Sequence, residues 1–507
     1  MSLATGLQQG FDVAFTWRNV GASAAGVTIG TTFGIFPGFG PTTLIAILLG
    51  FTVGLPPDTG IIMLVGIYFG TQYGDSISAI LMRAPSEPNA VMLALDGHEI
   101  ARRGRPGPAL AVAAMGSFVG SLVGLVGLGL AAPSLGHVAT YLSSADYTSI
   151  AVFGIVALSV VSPGARWRNL TAMLLGVTLS TVGLDPVAGI DRFTFGNLQL
   201  AQGIPIAPVA IGVFGFAEVL SIAAGSAARE RVRSIRFRDI WPNRAEVKEA
   251  LPASARGAAI GFPLGVPPGP TLAVATYASH ALERAKSRRR YGDDRPAIAA
   301  VAGPKAADEA AVAGHLVTMV ALGLAFSPVT AMLLSGLELH GIQPGPLFIA
   351  QHASLFWGIV ISILIGSVIL LVINVPLIGV WVQLLRTPTP ELLAGLTVFM
   401  LTGAYAIRNS TFDMWIVVVM GAIGYVMRRY RFPAALLVIG LVLGSVLEVN
   451  LREALATSRG DVGTFVQHPV SATLLALSVV LVATAPLWNL AGRWRATRGS
   501  VGKGDGA

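Results

Sequence analysis

The sequence predicts an all-α polytopic membrane protein with inverted structural repeats and discontinuous, re-entrant helices. Of its 507 residues 53% are hydrophobic and only 12% are charged, and the mean hydropathy is +0.70, a composition far from that of soluble globular proteins. Because the alternating pattern of β-barrel strands is absent, helices are the remaining way to span a bilayer. Uncharged runs that reach about 20 residues, in one case with their flanks, lie at 107–137, 204–217, 353–385, 432–447 and 469–492.

The charges predict how these helices are oriented. Loops rich in Lys and Arg mark the cytoplasmic side of a membrane protein, so the net charge of +8 indicates topology and not a nucleic-acid partner. The basic loops alternate with loops poor in Lys and Arg, and this alternation predicts a cytoplasmic C-terminus. Arg408, in a predicted short outer turn, is the exception. The basic loops are 98–105, 166–168, 229–256, 284–295, 428–431 and the tail from Arg493, and those poor in Lys and Arg are 51–60, 132–147, 185–203, 337–352 and 449–468.

Several signals are missing from the sequence. The start, MSLATGLQQGFDVAFTW, has no basic region before its apolar residues, so we expect no removable signal peptide. With no cysteine, the chain can form neither disulfides nor thiolate metal sites. It has no G-x-x-x-x-G-K-[ST] phosphate loop, which argues against a primary pump. It also lacks H-E-x-x-H, G-x-S-x-G and a histidine pair at metal-binding spacing, so we expect no enzyme activity and leave metal ligands unassigned.

A motif near the start recurs in the second half. GIFPGFGPTT (34–43) is echoed by GVPPGPT (265–271), and ISAILM (77–82) by VTAMLL (329–334). The loop after the first copy lacks Lys and Arg whereas the loop after the second is basic, which predicts that the halves lie inverted in the membrane, as in secondary transporters. The predicted division is a first repeat at 1–225, a basic cytoplasmic linker in contact with lipid at 226–256, an inverted second repeat at 257–491 and a cytoplasmic tail at 492–507.

The prolines and glycines of the two motif copies predict interrupted helices, since Pro costs about 3 kcal/mol and Gly about 1 kcal/mol in a helix interior. Broken helices in transporters bind solutes, with N-terminal ends facing anions and unwound carbonyls facing cations. A proline kink packed against a neighbouring helix is the alternative. The residues at the two predicted tips are Gly38, Gly40, Pro41, Thr42 and Thr43 in the first copy and Pro268, Gly269, Pro270 and Thr271 in the second.

Glycines at intervals of four predict helices whose backbones approach closely. They fall at 26, 30, 34 and 38, at 66, 70 and 74, and at 116, 120 and 124. We interpret them as packing positions and not as sites of chemistry.

Charged residues interrupt two otherwise apolar segments. Segment 66–90 contains Asp75, Arg83 and Glu87. Segment 301–316, its counterpart in the second half, contains the four residues Lys305, Asp308, Glu309 and His315. Intramembrane charges are costly and indicate function by default, but a neutralised loop at the membrane surface explains the same pattern.

These segments resemble the large membrane subunit of the tripartite tricarboxylate transporters, the TctA family, from about residue 20 to 490. The resemblance implies a multi-pass subunit of the bacterial inner membrane that carries the transport path for carboxylates. It further implies a small membrane subunit and a periplasmic solute-binding protein as partners, no cofactor, and coupling to a cation, Na⁺ or H⁺. The motifs that carry it are GIFPGFGPTT, GIYFGTQYGDSISAIL (66–81), ALDGHEIARRG (94–104), ELHGIQPGP (338–346) and GAYAIRNSTFDMW (403–415).

The chain departs from the family pattern mainly in its second half. RAPSEP (83–88) replaces Asn-x-Pro-Gly-Thr-Pro, PGPTLA (268–273) replaces Pro-Gly-x-Gly-x-Thr, and GPKAADE (303–309) replaces Ala-Pro-Glu-x-x-Asn-Asn. An Ile-Pro-Gly-Ser turn is also lost, leaving LAFS at 324–327. Arg83 and Lys305 are therefore new cations, which either bind the substrate anion or pair with Glu87 and with Asp308 or Glu309 at helix-face spacing. We favour pairing.

The expected substrate contacts combine the two tips with the motifs around them. An anion channel or a regulatory relative that no longer transports remains the alternative function, because the second-half motifs are altered. Asp413 in NSTFDMW either belongs to the site, as the resemblance implies, or caps its helix, which we favour. The predicted substrate-binding residues are Gly38, Gly40, Pro41, Thr42, Thr43, Gly74, Ser76, Ser78, Arg83, Pro85, Ser86, Gly269, Thr271, Lys305, Ser327 and Thr330.

Overall fold

The computed structural model describes residues 3–36, 39–185, 188–225, 237–291, 297–384 and 389–484. Their regular structure is almost entirely helical. The helices are α1 (Leu3–Ala14), α2 (Trp17–Gly34), α3 (Pro41–Thr52), α4 (Pro57–Met82), α5 (Val91–Arg102), α6 (Pro106–Ala139), α7 (Ser144–Val161), α8 (Arg166–Ser180), α9 (Leu198–Ala201), α10 (Ile206–Ala210), α11 (Ala217–Ala224), α12 (Arg244–Gly265), α13 (Thr271–Tyr291), α14 (Ala299–Leu322), α15 (Pro328–Leu339), α16 (Phe348–Gln351), α17 (Ala353–Ile369), α18 (Ile378–Leu384), α19 (Thr389–Arg408), α20 (Thr411–Arg429), α21 (Ala434–Thr457), α22 (Thr464–Gln467) and α23 (Pro469–Thr484).

Short elements complete the described structure. Strands β1 (Gly183–Leu184) and β2 (Asp191–Arg192) form an antiparallel hairpin. Two π-helical turns continue helices α10 and α17, a widening that is frequent near functional sites. The π turns are Ile211–Phe216 and Leu370–Asn374, and the 3₁₀ helices are Pro88–Ala90 and Phe237–Asp239.

Six stretches of the described residues are long and apolar enough to cross a membrane, which confirms the predicted all-α polytopic membrane protein. They overlap four of the uncharged runs seen in the sequence, and the fifth run contains the shorter apolar helix α23. The named runs did not include α7 and α20, although residues 147–165 and 414–427 are uncharged as well. The six stretches are Pro106–Ala139, Ser144–Val161, Ile206–Ala224, Ala353–Asn374, Thr411–Arg429 and Ala434–Thr457.

The chain forms two compact units, each assembled from two separate parts of the sequence. Unit 1 consists of Met1–Tyr141 and Pro205–Tyr430, and unit 2 consists of Leu142–Ile204 and Arg431–Ala507. This division follows contacts between residues and does not test the predicted inverted repeats, which stay a prediction.

Close helix packing organises unit 1 around α14. Every residue from Ala299 to Ala321 is buried, because α6, α12 and α13 surround the helix. Gly120 of α6 allows one of these contacts, since an added Cβ would lie 2.5 Å from the carbonyl oxygen of Ala306. Gly30 of α2 faces Ile67 of α4 in the same way. The predicted packing role of the spaced glycines is confirmed at these positions.

In unit 2, α21 packs on α7 and α8, and ion pairs fix the β hairpin to α21. Arg192 donates to both carboxylate oxygens of Glu448, at 2.5 and 3.1 Å. Arg452 donates to Asp185 at 3.0 Å. Hydrogen bonding to Glu448 raises the pKa of Arg192, so the guanidinium stays charged at physiological pH.

The capping role favoured for Asp413 is wrong. Ser410 is the N-cap of α20, whereas Asp413 is fully buried and accepts two hydrogen bonds from Arg408, at 2.9 and 2.5 Å. Arg408, the exception in the predicted orientation, is thus neutralised by a carboxylate.

Two further sequence interpretations look different in the structure. Residues 244–256 of the predicted linker are the first half of α12, with Ala250 and Ala253 buried, while 226–236 lie outside the described residues. ISAILM ends α4, but VTAMLL lies on α15, after the break that follows α14. The two similar hexapeptides therefore lie at places in the two halves that are not equivalent.

Candidate functional site

The first predicted tip is a true interruption between two helices. Helix α2 ends at Gly34 and α3 begins at Pro41, so the continuous kinked helix is ruled out here. Gly38 lies outside the described residues. Gly40 is the N-cap in extended backbone and supplies no side-chain cap, Pro41 has no N–H, and Thr42 and Thr43 are buried. The first-turn amides of α3 have no helical acceptor.

The second tip is also an interruption, between the end of α12 at Gly265 and the start of α13 at Thr271. Gly269 adopts φ +147°, which favours glycine. The Thr271 hydroxyl lies 2.7 Å from Nε2 of His315 on α14. The prolines Pro268 and Pro270 flank the turn and are half-buried. The second interruption is therefore attached to the buried helix α14 through a side chain.

Asp75 anchors the loop that follows α4. Its carboxylate is fully buried and accepts the backbone N–H of Ser86 at 2.5 Å and that of Glu87 at 3.2 Å. Ser78 donates to the main-chain oxygen of Asp75 at 2.9 Å. These bonds place the segment 83–90, here called the α4–α5 loop, and Pro85 lies half-buried within it.

Arg83 does not pair with Glu87, contrary to the favoured prediction. Helix α4 ends at Met82, and Arg83 takes the left-handed conformation with φ 54°, so helix-face spacing does not apply beyond it. The Arg83 side chain is exposed and forms no ion pair among the described residues.

Lys305 does form the predicted pairs. Its ammonium lies 3.2 Å from Asp308 Oδ2 and 2.9 Å from Glu309 Oε1, as expected three and four residues along one helix. It also donates to the carbonyl oxygen of Gln72 on α4 at 3.1 Å. These three acceptors use the three N–H donors of an ammonium, which leaves none for a substrate anion.

A buried polar cluster joins α4, α6, α14 and the α4–α5 loop. Asn89 donates to Asp308 Oδ1 at 2.7 Å and to Gln72 Oε1 at 3.2 Å, and Ser117 donates to Glu309 Oε1 at 3.0 Å. The sequence analysis missed Gln72, Asn89 and Ser117, because uncharged polar residues stand out only through their tertiary partners. The buried polar cluster consists of Gln72, Asp75, Asn89, Ser117, Lys305, Asp308 and Glu309.

The first tip lies beside this cluster. A Cβ added to Gly40 would lie 3.3 Å from Glu87 Oε1, so the start of α3 contacts the α4–α5 loop. Helix α13, which follows the second tip, packs on Pro88–Ala90 of the same loop. The middle of α13 is held to α5, where His280 Nε2 lies 2.8 Å from Asp96 Oδ2. The first tip and helix α13 thus both contact one loop.

The other predicted residues have structural partners. Gly74 faces the backbone of α2, with an added Cβ 2.7 Å from the Thr31 carbonyl oxygen. Ser76 donates to the main-chain oxygen of Gln72 at 2.9 Å. Ser327 and Thr330 form a capping box at the start of α15, with hydroxyl oxygens 2.9 Å apart. Their binding roles remain predictions.

Comparison with known proteins assigns the family. The family model described as the tripartite tricarboxylate transporter TctA family matches residues 20–439. An Agrobacterium vitis relative, described as an uncharacterized 52.8 kDa protein in the TAR-I ttuC′ 3′ region, is 38% identical over 487 residues, covering 96% of this chain and 97% of the relative. A second protein of that organism, from the TAR-II ttuC′ 3′ region, is 40% identical over 227 residues, covering 45% of this chain and 94% of the relative. No solved structure matches the chain. The resemblance seen in the motifs is confirmed, and the chain belongs to the tripartite tricarboxylate transporter TctA family as a membrane subunit.

Proposed function

We propose that the chain takes up tri- or dicarboxylate-like anions across the bacterial inner membrane, with its C-terminus in the cytoplasm. In this proposal it receives the anion from a periplasmic solute-binding protein, works with a small membrane subunit and moves the anion by alternating access, coupled to Na⁺ or H⁺. The observation that carries the proposal is the uncapped start of α3 beside the α4–α5 loop.

The start of α3 has the chemistry of an anion site. The helix dipole and the free first-turn amides favour negative charge, and Thr42 and Thr43 add two hydroxyl donors. The nearby loop contributes Arg83, which has no ionic partner among the described residues. Lys305 is already bound by two carboxylates, so we now assign the substrate-binding cation to Arg83 alone.

Replacing Thr42 and Thr43 together by valine should lower carboxylate uptake roughly tenfold or more, since each lost hydrogen bond is worth about 0.5–1.5 kcal/mol. The measurement is uptake into proteoliposomes that contain both membrane subunits and are supplied with the loaded binding protein. Thr52→Val is the matched control, because Thr52 is equally buried at the other end of α3 and donates only to Leu49 O. Uptake by the double variant at the rate of the Thr52 control would contradict the proposal.

The same vesicles distinguish a carrier from the alternative functions. A carrier exchanges internal for external substrate and saturates, whereas a channel conducts without saturation and a regulatory relative gives neither. Thermal-shift screens of the partner binding protein against carboxylic acids would identify the substrate to use.

Replacing Arg83 by asparagine should weaken substrate affinity by tenfold or more, because a charge-assisted hydrogen bond is worth about 1.5–3 kcal/mol. Asparagine tolerates the left-handed backbone that Arg83 adopts, so the change tests the charge and not the fold. The concentration for half-maximal uptake is the measurement. Arg102→Asn, an exposed arginine at the end of α5, is the control. An unchanged affinity for every carboxylate that the system transports would assign Arg83 to structure.

A further inference from the structure

The ammonium of Lys305 occupies the centre of a closed group of oxygen atoms. The side chain is fully buried. Its three acceptors are the main-chain carbonyl of Gln72 and the carboxylates of Asp308 and Glu309, at 2.9 to 3.2 Å. These oxygens come from α4 and α14, so the ammonium joins two helices.

The oxygens are held in place by partners other than Lys305. Asn89 binds Asp308 Oδ1, and Ser117 binds Glu309 Oε1. Within the described part of the chain, Glu309 Oε2 has no hydrogen-bond partner although it is completely buried, and neither has the side-chain amide nitrogen of Gln72. Each carboxylate therefore keeps one polar partner besides the lysine, and Glu309 has an acceptor to spare.

Carboxylate and carbonyl oxygens of this kind are the ligands that small hard cations prefer. In their ionised forms Lys305, Asp308 and Glu309 carry a formal net charge of −1, and the two carboxylates without the lysine carry −2. Buried carboxylates are strongly unfavourable when no cation compensates them. A positive charge at this position is therefore required, and the chain supplies it covalently.

We propose that the Lys305 ammonium is a tethered substitute for a bound Na⁺. In the natural chain these oxygens take no Na⁺ from solution, whereas removal of the ammonium turns them into a Na⁺ site. The inference rests on the proposed transport function. For a transporter it means that a coupling Na⁺ does not bind at this position. Its test measures ion binding without transport, so the two proposals can fail separately.

The test compares the full chain and Lys305→Gln in detergent, both prepared in NaCl. Thermal unfolding is followed while NaCl is exchanged for choline chloride at constant ionic strength. For Lys305→Gln we expect Tm to rise with Na⁺, by roughly 3 °C when Na⁺ exceeds its Kd a hundredfold. The variant should also bind radioactive ²²Na⁺ in a saturable manner. The natural chain should show no difference between Na⁺ and choline and no saturable ²²Na⁺ binding.

The double variant Lys305→Gln with Glu309→Gln is the control, since it removes one positive and one negative charge and restores the natural net charge. It should be insensitive to Na⁺. Na⁺ binding by the natural chain that Asp308→Asn abolishes would overturn the proposal. So would a Lys305→Gln variant that is equally unstable, or aggregates equally, in NaCl and in choline chloride, because the proposal requires Na⁺ to replace the ammonium.

Discussion

Replacing Gly120 by alanine is expected to lower the free energy of unfolding by about 3 kcal/mol, the upper part of the range for overpacked cores. The new Cβ would lie 2.5 Å from Ala306 O and 2.8 Å from the Cβ of Glu309. Both neighbours belong to α14, which is buried on every side and cannot move away. The methyl group would therefore separate α6 from α14 and disturb the buried polar cluster. The midpoint of thermal unfolding in detergent is the measurement.

The same helix provides the control for this prediction. A Cβ on Gly136 of α6 would make only ordinary contact, 3.7 Å from Pro346 O. Gly136→Ala should therefore leave stability unchanged or raise it by up to about 1 kcal/mol through helix propensity. Equal midpoints for the two alanine variants would show that α6 does not pack on α14 as described.

Replacing Asp75 by alanine should release the α4–α5 loop. The backbone N–H groups of Ser86 and Glu87 would lose a buried acceptor, at about 1–3 kcal/mol for each unsatisfied group. Because local opening governs cleavage in folded proteins, trypsin should cut after the exposed Arg83 at least tenfold faster than in the natural chain. The rate at which the fragment ending at Arg83 appears in mass spectra is the measurement.

Two variants make this test specific. Asp75→Asn keeps one side-chain oxygen and should give an intermediate cleavage rate. Asp58→Ala removes a carboxylate from the other end of α4, where it accepts from Asn19, and should leave cleavage at Arg83 unchanged. If all three variants are cut at the natural rate, Asp75 does not hold the loop.

The sequence was most informative where a local rule decides the structure. Proline and glycine cannot continue a helix, so both interruptions were predictable. Lysine and the carboxylates of α14 lie three and four residues apart on one helix, so the Lys305 pairs were predictable as well. The same spacing failed for Arg83 and Glu87, because the helix ends between them and Arg83 itself forms the left-handed end.

The tertiary part of the site could not be predicted from the sequence. Asn89 lies far from Asp308 along the chain, and Ser117 resembles many other small residues of α6. Nothing local shows that either of them binds a carboxylate. Asp413 likewise lies where a capping residue is expected, and only the fold shows that Arg408 binds its carboxylate.

Asp75 holds its loop through main-chain N–H groups, and every amino acid except proline provides such a group. The backbone of the loop can therefore keep these two hydrogen bonds when residues 86 and 87 are replaced by amino acids other than proline. If this loop contacts the transported anion as we propose, selectivity can diverge between relatives without a compensating change in the scaffold.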